Sequence, residues 1–99
     1  MREMGKGNDT IFALARSKAG HDKGRVFVVT GDTDDHVKLC DGKGRTLQKP
    51  KIKNRIHVQF ITHLDNDLLE QMKCINGDED IRRILKSYQK MLEVMHVEE

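Results

Sequence analysis

A chain of 99 residues is long enough for one domain, or a small domain with an appendage, and too short for two enzyme-sized ones. Apolar residues make up 36% and charged ones 34%, and the aromatic residues are Phe12, Phe27, Phe60 and Tyr88, so any core must be small and mostly aliphatic. The net charge of +2 conceals an asymmetry: 13 Lys and Arg face 7 Asp and Glu through residue 63, whereas 5 face 9 beyond it. Within the basic part, residues 43–55 carry Lys43, Arg45, Lys49, Lys51, Lys53 and Arg55 without an acid, which makes a polyanion the natural ligand. No apolar run approaches the roughly 18–20 residues of a membrane span, and none follows the basic start as in a signal peptide, so a soluble, cytoplasmic protein is expected. Cys40 and Cys74 lack a CxxC partner and read as reduced thiols.

In chain order, residues 1–9 contain Gly5 and Gly7 without apolar periodicity and read as a flexible arm. Residues 11–17 suit a short first strand, although Ala13 to Ala15 would also fit a helix turn, and a loop over 18–24 follows that carries Gly20 and Gly24. Residues 25–30 are rich in β-branched and aromatic side chains and stop at the polar cluster 31–35, a turn from which residues 36–40 return as the second arm of a hairpin. Asp41-Gly42 marks a tight turn, after which 46–49 is expected as a further short strand before Pro50. Residues 56–61 alternate apolar with polar and complete about five strands, which suggests a small barrel or sandwich over residues 10–62.

From residue 63 the period changes. Leu64, Leu68, Leu69, Met72 and Ile75 fall at helical spacing behind Asp65 and Asp67, with Asn76-Gly77 as the expected stop. Asp78 is a candidate N-cap for a second helix whose apolar face carries Ile81, Ile84, Leu85, Tyr88, Met91, Leu92 and Met95. Residues 63–99 thus read as an acidic helical pair packed on the barrel or on a partner. A stripe of this kind more often packs on its own domain, because a barrel of about fifty residues is marginal alone.

The stretch Ala15-Arg16-Ser17-Lys18-Ala19-Gly20-His21-Asp22-Lys23-Gly24-Arg25-Val26-Phe27-Val28-Val29 resembles a KOW motif, a strand, a glycine-containing basic loop and a second strand. Asp41-Gly42-Lys43 and Lys49-Pro50-Lys51 extend the resemblance to the small bacterial KOW-domain RNA-binding proteins related to archaeal and eukaryotic large-subunit ribosomal proteins. The likeness covers about residues 10–60. It implies an SH3-like barrel of about five strands that binds RNA, usually ribosomal RNA, without catalysis. His21 stands where many relatives carry arginine, and the C-terminal helices match no motif of the family.

The chemistry of the residues fits that expectation. Glycines at both ends of a loop let the main chain approach phosphate oxygens, and Lys18, His21, Lys23 and Arg25 lie beside them; the same glycines would also serve a plain turn with solvated lysines. Alternation of Lys49, Lys51, Lys53 and Arg55 in an extended segment would form a positive ridge for an RNA backbone, or else an edge strand blunted against aggregation. The three phenylalanines are needed in the core, so readout by shape and backbone is favoured over base stacking, and a methyl-lysine or proline-peptide groove lacks its aromatics. The five histidines have no HxxxH partner, Asp32, Asp34 and Asp35 fit a hairpin turn better than a calcium loop, and no Ser or Cys nucleophile has a recognisable setting. The expectation is a non-enzymatic protein without cofactor or metal, more often monomeric than dimeric, that binds rRNA of the large ribosomal subunit and has a ribosomal protein as a possible second partner. The rival reading is a protein-interaction adaptor acting through the barrel and the face carrying Ile81, Ile84, Leu85, Tyr88, Met91 and Leu92.

Overall fold

The computed structural model describes residues 12–95, so the segment 1–9 read as an arm lies outside the described residues. Five strands form one antiparallel sheet: β1 (Ala13–Ser17), β2 (Val26–Asp32), β3 (His36–Cys40), β4 (Lys51–Asn54) and β5 (Val58–Ile61). Their order is β4-β3-β2-β1-β5, and the sheet curls into a half-barrel. The first strand is therefore internal, flanked by β2 and β5. The two edges, β4 and β5, are consecutive in the chain and are joined by a single 3-10 turn, Arg55–His57.

Strand alternation gives the sheet two buried faces. Ala15 pairs with Phe27 across β1 and β2, and Val29 with Leu39 across β2 and β3; with Val37 and Val58 these side chains fill the concave face. Their neighbours Leu14, Val28 and Cys40 point the other way and meet two helices, α1 (Asn66–Met72) and α2 (Asp78–Met95). Leu68 and Met72 of α1 and Ile81, Ile84 and Tyr88 of α2 are buried in that second cluster, with Leu85, Met91 and Leu92 packed at its margin. The apolar stripe of α2 is thus covered by its own sheet. This supplies the additional core that a barrel of this size needs. No helix among the described residues is long and apolar enough to cross a membrane.

Several boundaries differ from the sequence expectation. Residues 46–49 are not a strand but part of the loop 41–50; the fourth strand lies after Pro50 rather than before it. The predicted strand over 56–61 begins as the 3-10 turn and becomes extended only at Val58, with Asn54 capping that turn by accepting from the Ile56 amide. The first helix ends at Met72, before Asn76-Gly77. Asp65 caps its start by accepting from the Leu68 amide at 2.9 Å. Asp78 does not use its side chain at the head of α2: Oδ1 accepts from the Leu47 amide at 2.8 Å, while Asp80 reaches back to the amides of Asn76 and Gly77, as the third residue of a capping box does.

Candidate nucleic-acid interface

The glycine loop between β1 and β2 is closed by its own backbone. Gly24 donates to the Ser17 carbonyl at 2.8 Å, Lys23 to Gly20 at 3.2 Å and Arg25 to Asp22 at 2.8 Å. Gly20 and Gly24 both have positive φ, 82° and 90°, a conformation that favours glycine. The amides of Lys23, Gly24 and Arg25 are therefore engaged in the turn, which leaves only amides nearer the tip to face a phosphate. Lys18, His21 and Lys23 are exposed around it. Lys18 donates its amide to the His57 carbonyl at 2.7 Å, tying the loop to the 3-10 turn.

Asp22 organises the cations. Its carboxylate accepts from Arg25 at 3.2 Å and from the Lys51 ammonium, and Lys53 donates to the Ala19 carbonyl at 2.9 Å. The Lys51 hydrogen bond is the main reason the Asp22 carboxyl lies below the ordinary aspartate range, reinforced by the charges of Lys51, Arg25 and Lys53 against a desolvation that acts the other way. Arg25 also donates to Asp41 at 2.9 Å and covers the Phe27 ring, 5.1 Å from its centroid. Three segments distant in sequence, the glycine loop, the loop after β3 and the strand β4, are gathered around these contacts.

The loop after β3 is built on Asp41. Its Oδ1 accepts from the amides of Lys43 and Arg45, at 2.8 and 2.9 Å, and Gly42 adopts φ +78°. Desolvation pushes the Asp41 carboxyl upward, but the two amides and the Arg25 guanidinium outweigh it and hold the group below its usual value. Lys43, Arg45 and Lys49 project from this loop into solvent.

The expected ridge from Lys49 to Arg55 is not continuous. Lys49 belongs to the loop, and Lys51 and Lys53 pair in register with Leu39 and Val37, whose side chains line the concave face. Both lysines consequently lean across the mouth of the half-barrel toward the glycine loop, and Ile52 is the residue turned out, 55% exposed. Arg55 sits at the opposite end of β4, paired with Asp32 and placed over the Phe60 ring. A strand of four residues at about 3.3 Å each separates it from the Lys51 end.

α2 also presents a set of cations, although the sequence from residue 63 onward is acidic in sum. Arg82 and Lys86 line a cleft of about 530 Å³ together with Arg25 and Lys43. The signal was present as Arg82, Lys86 and Lys90 at successive steps of four, one stripe of a helix. Among the described residues, no group of three or more His, Cys, Asp or Glu side chains lies close enough to hold a metal ion. No protein-family model matches the chain, and no curated protein matches it.

Proposed function

We infer that this protein binds structured RNA, with ribosomal RNA of the large subunit as the first candidate, through an SH3-like barrel of the KOW kind. The observation that carries the reading is the gathering of the glycine loop, the 41–49 loop and the Lys51 end of β4 around Asp22 and Arg25. Lys18, Lys23, Lys43, Arg45 and Lys49 are exposed on these segments, and no described acid lies within ion-pair distance of them. Asp22 and Asp41, the acids nearest to them in sequence, have their oxygens engaged. The curled five-stranded half-barrel, whose two edge strands are consecutive in the chain, supports the SH3-like reading. Cations mounted on a rigid sheet and tight turns suit backbone recognition, while the three phenylalanines are at least partly buried and leave base stacking little to work with. The apolar stripe of α2, already covered, lends no support to a partner-docking adaptor.

The test is binding of a large-subunit rRNA fragment across a salt series by the wild type and by a Lys18→Gln, Lys23→Gln, Lys49→Gln variant. Three lost phosphate contacts should flatten the slope of log K against log salt by about two to three, at roughly 0.7–0.9 each. An unchanged slope would remove these lysines from the interface. Absence of the wild type from ribosomal fractions at low salt would remove the ribosome as the target.

A further inference from the structure

The cleft between α2 and the 41–45 loop has a charge out of proportion to the chain. Arg25, Lys43, Arg82 and Lys86 converge on it from three segments, the glycine loop, the loop after β3 and α2, and the acid in its wall is Asp41. That carboxylate has both oxygens engaged, Oδ1 by two amides and Oδ2 by Arg25. The cleft therefore holds a formal surplus of three positive charges in a protein whose net charge is +2. Arg82 is fixed in place by donating to the Gly42 carbonyl, and Arg25 by its two carboxylates, so both guanidinium planes are oriented before any ligand arrives. Val26 and Leu85 supply an apolar floor, and a concave site with a low-dielectric wall concentrates the field of its charges.

Oriented guanidinium forks beside ammonium groups match the geometry of carboxylate and phosphate, and of the two a phosphate is what an RNA lying on the adjoining loop supplies. Arg25 belongs both to this cleft and to the glycine loop, so a strand lying on the loop continues into the cleft without a break. We propose that the cleft holds a backbone phosphate of the bound RNA, with Lys86 and Arg82 as its ligands, which makes α2 part of the RNA-binding surface. This rests on the RNA-binding reading above and extends it to an element that matches nothing in the KOW resemblance.

The experiment compares Lys86→Gln with Arg83→Gln. Both remove one charge from neighbouring turns of the same exposed helix surface, but Arg83 pairs with Asp80 and does not line the cleft. The salt slope for the rRNA fragment should fall by about 0.7–0.9 in Lys86→Gln and stay at the wild-type value in Arg83→Gln. RNA should also move the backbone amide resonances of Lys86 and Gln89. Equal slopes in both variants and the wild type, with RNA still bound, would overturn the assignment of the cleft while leaving the loop interface standing. Equal losses in both variants would reduce the effect to general charge and overturn it too. Failure of the wild type to bind RNA would overturn both readings; inorganic pyrophosphate moving the same amides would then redefine the cleft as a site for a small free phosphate.

Discussion

The two faces of the sheet are built from the same strands and solve different problems. On the concave face, Ala15, Phe27, Val29, Val37, Leu39 and Val58 meet one another, and the curl of the sheet is itself the cover. On the convex face, Leu14, Val28 and Cys40 would be left open to water without Leu68, Met72, Ile81, Ile84 and Tyr88 from the helices. A sheet alternating at period two with apolar residues on both sides cannot stop at the barrel. It requires a second layer, and the helical pair is that layer rather than an appendage.

The most severe way to break this comparison is from the concave side. Phe27→Ala, at 1% exposure, should cost about 3–5 kcal/mol, and Ile84→Ala on the convex side about 2–5 kcal/mol, each read as a fall in Tm. Because both clusters share β1 and β2, far-UV and near-UV signals should melt together in each variant. An Ile84→Ala protein that kept the wild-type Tm for its strands while losing only helix would separate the layers and refute the shared core.

Two glycines sharpen the comparison at the level of the backbone. A methyl group on Gly42 would lie 2.6 Å from the Asp78 carbonyl oxygen, whereas one on Gly24 would meet open space, although both residues have positive φ. Gly24→Ala should therefore cost only its conformational penalty, about 1–2 kcal/mol. Gly42→Ala should cost more and reduce helical signal, because the start of α2 must shift; equal losses of Tm would refute that contact.

The smallest expected effect is on acid stability. The carboxyls of Asp22 and Asp41 are held below their usual range, so each stabilises the fold at pH values above the unfolded aspartate value of about 3.9 and loses that contribution as pH falls through its lowered native value. Tm should be level between about pH 7 and 5 and decline below about 4. Asp22→Asn should show a shallower decline and, with one acid fewer beside Lys51, bind RNA more tightly at low salt. A steeper decline would contradict the sign of the shift.

Much of the fold was legible because its cues were local. His36–Cys40 alternates Val37 and Leu39 with polar residues and is the strand expected, and the stripe from Ile81 to Leu92 repeats at three and four. The fourth strand was misplaced because its pattern is inverted: Lys51 and Lys53 turn inward to Asp22 and Ala19 while Ile52 turns outward, so hydropathy points to the wrong face. Long lysine stems make this possible, covering apolar surface while the ammonium group reaches a partner. The basic residues themselves were visible from the start. What could not be read was which of them are tied to the protein, because Asp22 finds Lys51 across 29 positions and Arg82 finds Gly42 across 40.

Those long-range ties reach beyond the interface. Arg82 holds the Gly42 carbonyl and Asp78 holds the Leu47 amide, so the loop after β3 is stitched at two points to the first turns of α2. The loop cannot open while the helix stays docked, nor can the helix lift while the loop keeps its shape. In a hydrogen-exchange experiment the two should behave as one cooperative unit, with the Leu47 amide protected to the same opening free energy as the amides of α2.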